Sequence, residues 1–353
     1  MILYNSSSIP KNKTNPHFTP KTYMKKTALF FLLIVLMSCK TKNKSAELVA
    51  ELEYEIPAKL GEGAFWDYNQ EVLYWVDIIG ESLHIYSPKT KTNKEIKMPA
   101  PIGTIVPTKE KNKIIVALND GVYVVNIRTE EITKLTDVEA ENKSTRLNDG
   151  KCDPNGNFWI GSMDYSQTNP GGNLYKVSAN GKTQKMLTNI TISNGIVWSK
   201  DHKTMYYIDT PTANIRAFDF DEKTSTISNE RIVITIPKEE GFPDGMAIDE
   251  NDMLYVGLWN GNCIANYNPK TGKLIQKIKV PAHNVTSCAF GGKNLDVLYI
   301  TTSSLDMTDE EKAQYPLAGS IFKIKLNTKG VQSDFFKQPI LNVTETTQNQ
   351  TPE

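Results

Sequence analysis

Three features of the chain predict an all-β fold, a six-bladed β-propeller with four-stranded blades. A short apolar strand recurs along the sequence at nearly even spacing. Each recurrence is flanked by short β-branched or aromatic runs bounded by turn residues. No stretch after residue 46 shows a sustained helical period.

The recurring strand is Leu73-Tyr74-Trp75, Ile114-Ile115-Val116, Phe158-Trp159-Ile160, Met205-Tyr206-Tyr207, Leu254-Tyr255-Val256 and Leu298-Tyr299-Ile300. Successive starts lie 41, 44, 47, 49 and 44 residues apart. That period suits one propeller blade. The fourth copy shows a whole unit: Gly195–Trp198, Met205–Ile208, Ile215–Phe220 and Arg231–Ile236, stopped by Pro237. The sixth copy offers Cys288–Phe290, Val297–Thr301 and Ile321–Leu326 but no clear fourth strand. Upstream, residues 48–56 form a strand without a blade of its own. Pairing that strand onto the last blade closes the ring and covers an open sheet edge.

These assignments place the propeller at residues 47–340, followed by a polar tail at 341–353. Ahead of it, Met24-Lys25-Lys26 and the apolar run Ala28–Met37 have the length of a signal-peptide core rather than a bilayer span. Leu36-Met37-Ser38-Cys39 resembles a bacterial lipobox. Residues 24–39 are therefore expected to be a lipoprotein signal peptide with Cys39 lipidated, residues 1–23 an upstream extension and residues 40–46 a tether. The expected location is the bacterial cell envelope, anchored by lipid and facing the periplasm or the exterior. The other cysteines, Cys152, Cys263 and Cys288, are odd in number and widely spaced, which argues for small buried side chains rather than a disulfide framework. The 353 residues carry 40 basic and 40 acidic side chains, so charge gives no reason to expect nucleic acid as a partner.

The repeat also serves as a ruler. Ten or eleven residues before each marker, at the entry of the innermost strand, stand Glu62, Gly103, Asn148, Asn194, Asp244 and Ser287. Equivalent positions in a propeller ring the central axis, so residues remote in sequence converge at one mouth. The carboxylates and carboxamides among them are hard oxygen donors suited to Ca²⁺, Mg²⁺ or Mn²⁺, with Zn²⁺ also compatible with the carboxylates. The same Asx-Gly and Glu-Gly pairs also suit plain turns, and phase alone does not choose the metal.

Other chemistries lack their residues. There is no G-x-S-x-G elbow, no H-E-x-x-H helix, no glycine-rich phosphate loop and no C-x-x-C pair. Of the histidines, His17 lies upstream of the signal segment, His202 falls in a turn, His84 in a third strand with an expected surface position, and His283 just before the last inner strand. A histidine-activated nucleophile is not expected.

At these positions the sequence resembles the regucalcin, gluconolactonase and senescence-marker-protein family of six-bladed propellers. The resemblance rests on Gly61-Glu62-Gly63 with Trp66, on Tyr74–Ile78, on Arg146-Leu147-Asn148-Asp149-Gly150-Lys151-Cys152-Asp153-Pro154, on Ile192-Ser193-Asn194-Gly195, on Pro243-Asp244-Gly245-Met246 and on Thr286–Gly292. It implies one divalent cation, Ca²⁺ first, held by Glu62, Asn194 and Asp244. It further implies substrate binding by Arg146 and Asn148, and lactonase action on aldonolactones. One departure stands out. The family's further substrate-contacting glutamate falls near Ser166, within Asp164-Tyr165-Ser166-Gln167, which leaves the substrate open.

The expected reaction is cation-assisted attack of water on a lactone carbonyl, with Asp244 as general base and Asp149 as a second candidate. The expected state is a monomer that meets a small-molecule lactone and touches membrane only through its lipid. Two alternatives share the scaffold: a non-catalytic sugar- or protein-binding propeller, and a metal-dependent esterase or phosphotriesterase. Architecture alone does not separate them.

Overall fold

The computed structural model describes residues 47–339. The expected signal segment, Cys39, the tether and the polar tail lie outside the described residues. Six antiparallel four-stranded sheets follow one another along the chain as blades. Their innermost strands are Gly61–Asp67, Ile102–Pro107, Thr145–Cys152, Ser193–Trp198, Phe242–Ile248 and Asn284–Gly291. Every marker run falls in the second strand of its blade, for example Val72–Asp77 in blade 1 and Thr204–Asp209 in blade 4.

Burial explains why the marker strands were visible. Blades pack face to face, so strands near the axis are covered on both sides and read as continuous apolar runs. In blade 1 the innermost strand is buried throughout. The outermost, Thr92–Lys97, is mostly exposed and polar. Trp75, Trp159, Tyr74 and Tyr207 are fully buried between sheets. The three cysteines are buried and free, as their spacing suggested.

The sixth blade borrows its outer strand. Glu51–Tyr54 pairs antiparallel with Ile321–Lys325, with Glu51 opposite Lys323 and Leu52 opposite Phe322. This is the closure expected from the unpartnered strand. Just before it, Leu48–Val49 pairs in parallel with the outer strand of blade 5, which the sequence did not suggest. The Glu53 side chain, 2% exposed, fastens the junction. It pairs with Lys91 at 2.7 Å and Lys323 at 2.9 Å, and accepts from the Tyr86 hydroxyl at 2.7 Å. One residue of the amino-terminal strand thus ties blade 1 to blade 6.

Residues 330–337 cross the opposite face. Val331 N donates to Ile248 O in blade 5, Phe336 N to Pro107 O in blade 2, and Lys337 N to Gly156 O in blade 3. Blades 5 and 2 face each other across a six-membered ring, so this segment spans the axis. Phe336 within this segment is fully buried.

One expectation is corrected. His84 is not at the surface but 3% exposed. Its ring stacks on Trp75 with centroids 3.9 Å apart, and its Nδ1 lies 2.9 Å from Asn93 Nδ2. Burial lowers its pKa to about 4, so it is a neutral packing residue. A polar residue in a third strand suggested exposure, and the aromatic face available one strand inward overrode it.

Replacing Glu53 by alanine removes both lysine pairs and leaves the Tyr86 hydroxyl without its acceptor. We expect a loss of about 1–3 kcal/mol of stability, read as a lowered urea midpoint at unchanged slope. An unchanged midpoint would show that the junction is held by backbone pairing alone.

Candidate active site and metal centre

In an antiparallel hairpin the start of one strand lies beside the end of the next. The entries of the innermost strands and the exits of the second strands therefore share one face of the propeller. At that face the innermost pairing loses register in every blade. The break lies between Glu62 and Phe65, at Gly103 in blade 2, and between Leu147 and Gly150, Ser193 and Ile196, Pro243 and Met246, and Val285 and Cys288. The second and third strands pair without any such break in all six blades. These are β-bulges, which bend a strand and re-aim its side chains. The Asx-Gly pairs therefore make bulges within strands rather than turns between them.

Glycine is needed where the bulges crowd together. Gly63 sits at φ +59°, a left-handed conformation. A Cβ on Gly195 would come within 2.7 Å of the Asp244 carbonyl oxygen. The two strands that carry Asn194 and Asp244 can approach so closely only because that Cβ is absent. Two aspartates at second-strand ends fix the incoming chain. Asp77 accepts from the amides of Lys59 and Leu60, and Asp209 from those of Thr191 and Ile192.

A cavity of about 440 Å³ opens on this face, and Glu62, Arg146, Asn148, Asn194 and Asp244 all line it. All five are buried. Asp149 does not line it. Its carboxylate accepts from Gly150 N at 2.7 Å, and its nearest cation is the buried Lys151. Asp164 also stays off the cavity, bonded to Ser166 N and Asn169 Nδ2, while the Ser166 hydroxyl turns to Asn169 N. His283 lies 3.2 Å from Glu311 of the short helix Asp309–Gln314 and does not line the cavity.

Hydrogen bonds fix the amides. Thr210 Oγ1 donates to Pro243 O at 2.8 Å, so it can only accept from Asn194 Nδ2, also at 2.8 Å. That leaves the Asn194 carbonyl oxygen as the group available to a cation. Asn148 spends both amide protons within the wall, on Ser193 O at 2.8 Å and Asn194 Oδ1 at 3.1 Å. Its own oxygen accepts from Arg146 Nη1 at 2.6 Å. Asn148 thus holds Arg146 and Asn194 in place. Thr210 went unnoticed in the sequence, yet it stands five residues after the start of its marker strand. The same forward step reaches Ile78, Met163 and Trp259, which also line the cavity.

The carboxylates show what this centre accommodates. Glu62 and Asp244 lie within hydrogen-bonding reach of each other. Burial, then the charge of Asp149, pushes Glu62 up to about 8. Burial and the Glu62 charge hold Asp244 well above the carboxylate range. Asp244 Oδ1 is buried with no hydrogen-bond partner, although Glu62 Oε2 accepts from Gly63 N at 3.2 Å. A buried orphan acceptor costs about 1–3 kcal/mol, and ligation of a cation by that oxygen satisfies it. Among the described residues no three His, Cys, Asp or Glu side chains group around a common point. The fitting donor set is therefore two carboxylates and the Asn194 carbonyl, all oxygen, which suits a hard divalent ion.

The family model described as SMP-30/Gluconolactonase/LRE-like region matches residues 60–304. The chain belongs to that family. It is 38% identical over 283 residues to the Bacillus subtilis protein named "Putative sugar lactone lactonase YvrE", covering 80% of this chain and 97% of that one. It is 34% identical over 285 residues to regucalcin of Xenopus laevis, covering 79% and 95%. Among solved structures, a luciferin-regenerating enzyme superposes with a TM-score of 0.77 at 33% identity, over 82% of this chain and 99% of that one.

Because both carboxylates are raised, a cation arriving at pH 7 must displace a proton. We expect Ca²⁺ binding to release about one proton per site and to tighten as pH rises from 6 to 8. Calorimetry in buffers of different ionisation enthalpy measures this. An affinity independent of pH, with no proton released, would contradict the paired-carboxylate picture.

Proposed function

We propose that this chain is a divalent-cation-dependent lactonase, which opens the ring ester of a lactone to a hydroxy acid. The observation that carries this reading is the buried, unpartnered oxygen of Asp244 beside Glu62 and the oriented Asn194 carbonyl, at the floor of a cavity that also presents Arg146. The lactonase name of the Bacillus relative supports it.

Glu62, Asn194 and Asp244 would hold the cation, which when bound would supply Lewis-acid polarisation of the ester carbonyl. Everything else is done by side chains. Arg146 has Nη1 tied to Asn148 Oδ1 and Leu147 O, which sets the guanidinium plane against the cavity wall. Its remaining donors face a substrate oxygen and stabilise negative charge as it develops there. Asp244 has one oxygen for the cation and one for a proton. It accepts the proton of the attacking water, whose oxygen bonds to the carbonyl carbon. As the ring C–O bond breaks, the proton passes to the departing ring oxygen. The balance is lactone plus water giving one hydroxy acid, with Asp244 restored. Ligation weakens a carboxylate as a base, and the crowding of Glu62 and Asp149 around Asp244 offsets part of that loss.

The test is acid release in a pH-stat by purified protein, stripped with chelator and then given Ca²⁺, Mn²⁺, Zn²⁺ or Mg²⁺. We expect stripping to abolish turnover and one of these ions to restore it. Asp244→Ala and Glu62→Ala should each lower kcat/KM at least about 100-fold, the scale of ~3 kcal/mol of lost electrostatic stabilisation. Undiminished turnover in either variant would reject the site, and a purely binding propeller would release no acid from any lactone.

A further inference from the structure

Large apolar side chains left exposed among the described residues fall in two places. Ile79 and Tyr165 border the cavity. The other five, Val49, Leu52, Ile232, Leu274 and Ile275, are 39% to 61% exposed and all lie on the outermost strands of blades 4, 5 and 6. Among the described residues the outer strands of blades 1, 2 and 3 carry none. The patch is continuous from blade to blade. Val49 stands opposite Lys279 on the edge of blade 5. The turn that leads into that edge meets blade 4, where a Cβ on Gly272 would lie 3.0 Å from the carbonyl oxygen of Val233, the residue after Ile232.

Charge is concentrated on the same part of the rim. The whole chain is balanced, with 40 basic and 40 acidic side chains. Between Asp252 and Asp296, however, it has no carboxylate, and Lys270, Lys273, Lys277, Lys279 and Lys293 all fall in that interval. Lys277 pairs with Glu240. Lys270, Lys273 and Lys279 are exposed and form no ion pair among the described residues. Rim lysines on blades 1 and 2 are neutralised instead, Lys94 by Glu130, Lys97 by Glu95, and Lys134 by Asp120 and Asp137. The nearby acids in the chain are Glu47 and Glu51 beside Val49, and Glu51 reaches Lys323.

Unpaired lysines around exposed leucine and isoleucine suit an anionic lipid surface, where alkyl side chains enter the interface and ammonium groups meet phosphates. A protein partner fits less well, since lysine is depleted from protein interfaces. The described chain also begins on this edge, at Glu47, and Lys40, Lys42 and Lys44 precede it in sequence. Seven residues, 40–46, separate Glu47 from Cys39. Such a length spans at most about 25 Å, so a lipid on Cys39 would hold this edge to the bilayer.

We propose that the outer strands of blades 4 and 5, with Val49, form a docking face for an anionic membrane surface. The reading is independent of the reaction proposed above. Docked on its rim, the propeller has its axis along the membrane, and the cavity opens sideways into water.

The experiment mixes the full chain with vesicles of phosphatidylcholine, alone or with phosphatidylglycerol, and acetylates exposed amines briefly. Mass spectrometry then reads each lysine. We expect Lys270, Lys273 and Lys279 to react at least about fivefold more slowly with the anionic vesicles, and high salt to abolish the difference. Lys89, Lys182 and Lys185, exposed on blades 1 and 3, should react alike with both. The double variant Leu274→Ser, Ile275→Ser should lose most of the protection while keeping the melting temperature of the parent. Equal rates in the two vesicles overturn the proposal, as does equal slowing of all six lysines, which reports adsorption without a preferred face. Full protection retained in the serine variant also overturns it. Protection that needs no vesicles and grows with protein concentration assigns the face to a second copy of the chain instead.

Discussion

The six innermost strands converge on one axis, and at the same depth each carries more backbone than its neighbour can pair. In five blades two residues face one across the break, and in blade 2 Gly103 is the extra residue. The second and third strands keep regular register throughout. A bulge turns a side chain that would lie between sheets toward the mouth of the channel. Without it, Asn194 and Asp244 would alternate into the packing between blades. Gly195 lets the bulges of blades 4 and 5 nest against each other. The site is thus a consequence of how a radial sheet array ends at its centre.

Crowding has an electrostatic consequence. Glu62 and Asp244 are held at hydrogen-bonding range in a buried setting, with Asp149 adding a further negative charge below. Two ionised carboxylates so placed are tolerated only with a shared proton or a cation. The amide beside them presents an oxygen, which is compatible with the second solution. The chain of hydrogen bonds from Arg146 through Asn148 and Asn194 to Thr210 and Pro243 runs in one direction, so no amide in it can flip without losing a partner. Asn194 therefore presents oxygen rather than nitrogen, and Arg146 presents a fixed plane.

Much of this was legible in the sequence because the signals were periodic. Doubly buried second strands produced the marker runs, and a constant offset from them reached Glu62, Asn148, Asn194 and Asp244. Closure by residues 48–56 followed from counting strands. What escaped notice lacked a period. Thr210 and Trp259 are unlike in chemistry, so nothing marked their common position at second-strand exits. The segment 330–337 carries no repeat, and its crossing of the far face depends on contacts with three blades at once. His84 read as exposed because the Trp75 ring that covers it lies on the neighbouring strand, in register opposite it. Asn148 was legible as a site residue, but not its bonds to Ser193 and Asn194, since these depend on where its two amide protons point.

Floor and walls answer to different constraints. Glu62, Asn148, Asn194 and Asp244 sit on innermost strands, each paired to the second strand of its blade and packed against the innermost strands of adjacent blades. Ile79, Pro101 and Leu305 sit on connections between strands, where substitution costs the fold little. The far end of the axis is crossed by residues 330–337, so a ligand meets the floor from the walled side. A fold of this kind can keep the carboxylate centre on its innermost strands unchanged while the connections that wall the cavity are recast.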